Sequence, residues 1–203
     1  MLYKITDILK GQIESKSLSY IDVLAGLTDV DHVNKQVSSN SLIQKIYPTY
    51  CGLTDGCDGK QLLPLIPDKK LKSLFYFEDL RGITVVNTDR GFVNYTGYVR
   101  LIAWLNPKLL GSNDCSITAP IMTEIISILQ SKTFNSGDFA KIRTRILNIP
   151  TKSETLFSKY KYSPNFIDIL DKPYDYFALD IAIDFSIHTS CITKFTANTP
   201  IEC

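Results

Sequence analysis

The chain has 203 residues and a net charge of +1, with 44% hydrophobic and 21% charged residues. This length is typical of one domain, and a domain of this size buries enough apolar surface to fold without a metal or a disulfide. The balanced charge argues against the class of strongly basic proteins that bind nucleic acid. Five cysteines and no apolar run long enough for a signal or a membrane span predict a soluble intracellular protein with no membrane partner.

The first 70 residues contain one clear element. Apolar residues recur at helical spacing over residues 2–14, which predicts an amphipathic helix. Residues 16–67 have mixed periodicity. Within them, residues 39–47 (SNSLIQKIY) predict a short helix capped by Ser or Asn, and residues 51–60 (CGLTDGCDGK) predict a loop.

From residue 71 the pattern is sharper. Residues 74–87 and 91–106 are rich in aromatic and β-branched residues and flank TDRG, so they predict a hairpin of long strands. Gly82 and Gly97 inside these strands predict bulges or bends. Residues 116–132 (SITAPIMTEIISILQSK) then form the best helical pattern of the chain.

Two further strands are predicted near the C-terminus, over residues 139–149 and 176–190, because apolar and polar residues alternate there. We therefore predict one α+β domain over residues 1–203, with a mainly antiparallel sheet of long strands and helices packed on one face. Residues 16–70 are interpreted as an inserted arm or an extension of a core at about residues 71–190. In the first strand Ala140, Ile142, Thr144 and Ile146 are expected on one face, and Lys141, Arg143 and Arg145 on the other.

The charged residues of these two strands are the candidate functional residues: Lys141, Arg143 and Arg145, together with Asp180 and Asp184. The two aspartates lie four residues apart, about 13 Å along a strand, too far to share a metal or to act as a catalytic carboxylate pair. Three uses remain open. The basic and acidic stripes can neutralise each other across neighbouring strands, meet a neighbouring copy of the chain, or line a passage for DNA.

No motif predicts an enzyme. The chain has two histidines, and Ser186 lies about 6.6 Å from His188 along a strand with no residue to orient the ring. Cys51 and Cys57 miss the zinc-binding spacing, and no second Cys or His pair follows them. We predict no catalytic residue, no cofactor and no metal.

The element order resembles a known family. The N-terminal helix, the strand YVRLIAWLNP, the helix APIMTEIISIL and the strands FAKIRTRILNI and YFALDIAIDFSI are similar to the tail terminator and head–tail joining proteins of tailed bacteriophages. The line ALDIAIDFSI is similar to the last strand of that family. The resemblance covers about residues 70–190, and the composition, rich in Lys, Ile, Asn, Ser and Tyr, is typical of an AT-rich phage such as the crAss-like type.

The resemblance implies a structural virion protein that forms a homo-oligomeric ring in the phage neck or tail and is made in the host cytoplasm. Its implied partners are copies of itself and the neck or tail proteins above and below, with DNA passing through the lumen without sequence-specific binding. The alternative is a stand-alone intracellular module that binds a ligand or a partner. The ring also predicts exposed apolar contact residues, for which the candidates are Leu63, Leu65, Phe75 and Phe77.

Overall fold

The computed structural model describes residues 1–38, 41–50, 63–112, 117–130, 133–161, 170 and 172–192. It is an α+β fold dominated by a large, curled, mostly antiparallel sheet, as the sequence predicts. The predicted loop at residues 51–60 lies outside the described residues.

The main sheet has six strands: β1 (Val23–Leu27), β5 (Ser73–Asp89), β6 (Phe92–Leu105), β7 (Phe134–Ser136), β8 (Phe139–Asn148) and β9 (Asp175–His188). Their spatial order is β1-β5-β6-β9-β8-β7. The pair β1–β5 is parallel and every other neighbouring pair is antiparallel. The four long strands predicted from alternation and β-propensity are all present in this sheet, within three residues of the predicted ends.

Two helices cover one face of this sheet, α1 (Leu2–Glu14) and α2 (Thr118–Gln130). Their apolar faces pack on the alternate residues of β5, β6 and β9 in one continuous core. Every second residue of a strand points to the same side, so the apolar positions of β9 bury together beneath α2. The buried β9 positions on this face are Phe177, Leu179, Ile181, Ile183, Phe185 and Ile187.

The opposite face of the sheet is apolar at one end only. There the short helix α3 (Ser153–Leu156) and the residues after it cover Tyr76, Ile102 and Trp104 in a second core cluster. Trp104 is fully buried and stacks on Tyr174, with ring centroids 5.2 Å apart. The rest of this face carries polar and charged side chains, and we call it the polar face.

Residues 16–70 contribute to two sheets. The strand β1 forms an edge of the main sheet, while β2 (Asp29–Ser38), β3 (Ser41–Tyr50) and β4 (Leu63–Pro64) form a separate three-stranded antiparallel sheet. The predicted helix at residues 39–47 is therefore wrong, because its described part lies in β3. The spacing of the apolar residues there fits a helix locally, but pairing with β2 along nine positions stabilises the strand instead.

Glycines shape the long hairpin of β5 and β6. Arg90 and Gly91 both have positive φ, as a two-residue type I′ turn requires. Gly82, with φ of 74°, lies at a shift in the strand register, so the predicted bulge is confirmed. Gly97 has regular register and no bulge. A Cβ there would lie 3.1 Å from Leu2, so this glycine permits close packing of α1 on the strand.

A bulge in β8 changes one predicted face. The register shifts between Ala140 and Arg143, and Lys141 has φ of 52°. Ala140 lies opposite Ser186, so it shares the polar face rather than the core face that strict alternation predicted. Ile142 and Thr144 are buried on the core face, and Ile146 packs against the core.

Candidate functional site

The polar face is crossed by rows of side chains that lie opposite one another on neighbouring strands. The first row joins Glu78 on β5, Arg100 on β6 and Asp180 on β9. The Arg100 guanidinium donates from Nε and Nη2 to the two carboxylate oxygens of Asp180, at 2.6 and 3.0 Å. Both side chains are at least 85% buried. The hydrogen bonds to Asp180 raise the pKa of Arg100, so the guanidinium stays charged.

Glu78 is buried in the same row and is held from outside the sheet. Lys159 donates to its Oε2 at 2.6 Å, and the hydroxyl of Tyr160 donates to its Oε1. The Glu78 carboxylate is therefore satisfied by the segment that follows α3. This row fixes that segment to the sheet, since an unpaired buried carboxylate would be costly.

The second row contains Asp184, about 13 Å from Asp180 along the strand at ~3.3 Å per residue. Thr96 donates to its Oδ1 at 2.7 Å, and Arg145 donates to both of its oxygens, at 3.0 and 3.3 Å. Burial alone would raise the pKa of Asp184, but the hydrogen bonds from Arg145 and Thr96 outweigh it and lower the pKa. Asp184 is therefore ionised at neutral pH.

A surface groove of about 560 Å³ lies over this part of the polar face. Lys141, Arg143 and Arg145 on β8 line it, and so do Asn94 on β6 and Ser186 on β9. Lys141 lies 5.5 Å from the ring centroid of Phe92, a cation–π contact. Arg143 lies opposite Asp184 and lowers its pKa through space. Among the described residues, Arg143 forms no salt bridge within 4 Å.

The structure brings four of the five sequence-predicted residues together around the groove and separates the fifth, Asp180, from them. Asp184 meets Arg145 and Arg143, so the two stripes partly neutralise each other within one chain, the first of the three uses left open. Asp180 does not meet the basic stripe and pairs with Arg100 instead. Lys141 and Arg143 remain directed into the groove.

Glu78, Arg100 and Tyr160 were missed by the sequence reasoning. A signal was present, because Arg100 is an isolated charge inside the apolar run YVRLIAWL, and Glu78 directly follows the apolar run LFYF. A charge at such a position requires a buried partner. The sequence does not say which partner, since the paired residues lie about 80 positions apart.

The expected absence of a nucleophile–base pair stays a prediction, and both candidate side chains have other partners. Ser186 donates to Asn94 at 2.5 Å, and Nδ1 of His188 lies 2.7 Å from the hydroxyl of Ser190. The His188 ring packs edge-on against Phe92. Within the described part of the chain, no three His, Cys, Asp or Glu side chains are grouped so as to hold a metal.

Three of the four candidate apolar contact residues are wrong. Leu65, Phe75 and Phe77 are at most 1% exposed because they lie in the cores on the two faces of the sheet, whereas Leu63 is 51% exposed. The alternation of residues identified apolar positions in the strand. It did not show that both faces of β5 are covered at residues 74–77. The most exposed large apolar side chains of the described residues are instead Val85 and Val86, at 65% and 60%.

Chemically, the arrangement holds charges in fixed positions and offers a cation-lined groove. None of the described helices is both long and apolar enough to cross a bilayer. The chain matches no protein-family model, and no curated protein or solved structure is significantly similar to it.

Proposed function

We propose that this protein is a structural virion component that forms a homo-oligomeric ring in the neck or tail of a tailed bacteriophage. The observation that carries the proposal is the order of elements along the chain: α1, the β5–β6 hairpin, α2, β8 and β9, with the two helices packed on one face of the sheet. This is the order on which the resemblance to tail terminator and head–tail joining proteins rests.

The rigidity of the sheet supports this role. The strands β5, β6 and β9 are long, and β6 pairs with β9 without a shift in register. The pairing of β5 with β6 contains two bulges, and at one end of the sheet both faces are buried. Buried charged rows on the polar face fix their relative positions. A ring subunit makes or breaks no covalent bond, and its function is to set a diameter and to present two surfaces to the rings above and below.

The mass of the purified protein in solution tests the proposal. Light scattering over a range of concentration and salt should give a discrete multiple of 22.9 kDa, such as a six- or twelve-fold species. A symmetric ring in negative-stain images of the same fraction would support it further. A chain that stays monomeric at every concentration contradicts self-assembly into a ring.

The groove favours the second candidate, an intracellular module that binds an anionic ligand or partner. Its volume of about 560 Å³ is in the range of small-molecule sites, and three cationic side chains line it. The module should be monomeric and should gain thermal stability with a specific anionic metabolite. Loss of that gain in Arg143→Ala would assign the groove.

A further inference from the structure

Both edges of the main sheet are only half covered. On one side β1 pairs with β5 no further than Phe77, and in the described chain residues 82–89 of β5 have β6 as their only strand partner. On the other side β7 reaches only Ile142 of β8, and among the described strands residues 143–148 pair with β9 alone. Within the described part of the chain, each edge therefore leaves a row of backbone N–H and C=O groups without a strand partner.

Exposed aliphatic side chains lie at both open edges. Val85 and Val86 on β5 are 65% and 60% exposed, and Leu147 on β8 is 48% exposed. Long open edges with apolar side chains are templates for pairing with another strand, and proteins that remain monomeric usually block them. The open residues 82–89 and 143–148 contain no proline and no lysine, although each stretch contains one shift in register, between Val85 and Asn87 and between Ile146 and Asn148.

The two edges are matched in direction. Since β5, β6, β9 and β8 alternate along the sheet, β5 and β8 run in opposite directions. A second copy placed beside the first in the same orientation therefore brings its β5 antiparallel to β8. The antiparallel pattern continues from one copy to the next. The contact joins the β8 edge of one copy to the β5 edge of the next, which is the head-to-tail kind of contact that forms a ring.

The two edges are also matched in charge. The open residues 82–89 of β5 carry one charged side chain, Asp89, with Arg90 in the turn beside it. The open residues 143–148 of β8 carry Arg143 and Arg145 and no acid, a net charge of +2. Pairing β8 with β5 brings Asp89 to an arginine, whereas pairing β8 with its own copy brings two cationic stretches together.

We propose that the open edge of β8 in one copy of the chain pairs antiparallel with the open edge of β5 in the next copy, with Asp89 opposite Arg143. This inference deepens the ring function proposed above and rests on it. The register joins residues 84–89 to residues 143–148, six positions or about 20 Å of strand.

Side-chain direction is compatible with this register. Asn87 lies opposite Asn94, which lies opposite Ser186 on the polar face, so Asn87 and Asp89 both point to that face. Arg143 and Arg145 point to the same face. The register therefore places Asp89 beside Arg143 and Asn87 beside Arg145, and a shift by one residue would put each pair on opposite faces.

The pairing supplies a partner to two side chains that have a weak ion pair or none among the described residues of a single chain. Asp89 approaches only Arg90, at 4.0 Å, with both side chains largely exposed. Arg143 forms no salt bridge within the described residues. A head-to-tail contact occupies both open edges of every copy, whereas a two-fold pairing of β5 with β5 would leave β8 open.

A charge exchange tests the register. Asp89→Arg and Arg143→Asp should each raise the concentration for half-assembly at least ten-fold, because each opposes like charges. The double variant should return to within three-fold of the unmodified chain, and so should a 1:1 mixture of the two single variants, because alternate copies then match. Lys108→Asp, an exposed change away from both edges, is the charge control.

Cross-linking tests the edges independently of charge. With a short bis-maleimide, the double variant Val85→Cys/Leu147→Cys should give a ladder of multimers above the background of the unmodified chain. Neither single variant should do so, because a head-to-tail contact joins different residues. A strong dimer from Val85→Cys alone would instead demonstrate a two-fold β5 contact and overturn the inference.

The outcomes separate this inference from the proposed function. A discrete ring whose assembly is unchanged by either charge reversal, or a double cysteine variant without a ladder, overturns the edge pairing and leaves the ring intact. A chain that is monomeric at every concentration overturns both. Rescue by the mixture of single variants supports the edge pairing directly.

Discussion

At the scale of single residues, the polar face contains two ion pairs of different character. The Arg100–Asp180 pair is nearly buried, with side chains 15% and 10% exposed, whereas Arg145 and Asp184 are 49% and 38% exposed. Water screens the second pair and not the first. The two aspartates look equivalent in the sequence, and only their surroundings distinguish them.

We therefore expect Asp180→Ala to destabilise the fold much more than Asp184→Ala. Removal of Asp180 leaves a buried guanidinium without its carboxylate, a loss of about 3–5 kcal/mol in the free energy of unfolding. Removal of Asp184 breaks a half-exposed pair, a loss of about 1 kcal/mol or less. Urea denaturation at pH 7 measures both. Equal losses would contradict the assignment of Asp180 as the structural member.

The lowered pKa of Asp184 predicts a pH dependence. Because its folded-state pKa lies below the ordinary value of 3.8, the folded state binds fewer protons than the unfolded chain as the pH falls. The stability that Asp184 contributes is therefore complete above about pH 5 and is lost as the pH falls toward 3. Asp184→Asn should be less stable than the unmodified chain at pH 7, and the difference should shrink at pH 3.

Urea denaturation at the two pH values measures this difference, with Asp138→Asn as the matched control. Asp138 forms a 3.5 Å salt bridge to Lys4 at the surface. A stability difference for Asp184→Asn that is the same at pH 3 and pH 7 would show that the carboxylate charge is not what stabilises the fold.

At the scale of elements, the local sequence pattern decides some helices and strands, and pairing between strands decides others. The helices α1 and α2 and the strands β5, β6, β8 and β9 were predictable because each is long and strongly periodic. The strand β3 was not, since its apolar spacing fits a helix and its partner β2 has no distinct pattern of its own. The strands β5 and β8 each contain two shifts in register, and the sequence predicted only the one beside Gly82, from the glycine itself.

Two glycines allow the effect of backbone conformation on stability to be measured separately from side-chain packing. Apart from the adjoining backbone, no atom of the described residues lies within 4 Å of a Cβ added at Gly11 in α1 or at Gly82 in β5, but Gly82 has φ of 74°. Gly11→Ala should stabilise the protein by about 0.5–1 kcal/mol, because alanine favours the helix. Gly82→Ala should destabilise it by about 1 kcal/mol or more, because of the positive φ.

Thermal or urea unfolding of the two glycine variants gives the sign directly. Each serves as the control for the other, since the added methyl group is the same and contacts nothing in either case. Stabilisation by both substitutions would contradict the left-handed conformation at the β5 bulge.

At the scale of the whole molecule, the notable feature is the asymmetric covering of the sheet. One face is covered by α1 and α2, the other only at one end, and both edges are partly open. Such a subunit offers a polar face and two strand edges to neighbours while its core is complete. This shape is consistent with an assembly component, and the two most exposed large apolar side chains of the described residues, Val85 and Val86, lie at an open edge.

Val85→Lys should prevent self-assembly and leave the fold intact. A lysine on an open edge disfavours pairing with another strand. Val85 is 65% exposed, so the free energy of unfolding of the single chain should change by less than about 0.5 kcal/mol. Light scattering and urea denaturation measure the two effects. The control is Leu109→Lys, which changes an exposed leucine away from both edges; equal loss of assembly in both variants would contradict a role for the edge.

Local signals in the sequence were enough to predict the amphipathic helices, the long alternating strands, the turn at Arg90 and Gly91, and the α+β class. They also placed Arg143 and Arg145 on the polar side of one strand and Asp180 and Asp184 on the polar side of another, because a two-residue period assigns the faces of each strand without knowledge of its neighbours. Tertiary structure alone decided the partners. Arg100 rather than the basic stripe holds Asp180, Tyr160 and Lys159 hold Glu78, and Phe75 and Phe77 are buried rather than exposed, because pairing across strands brings together residues that are tens of positions apart in the chain.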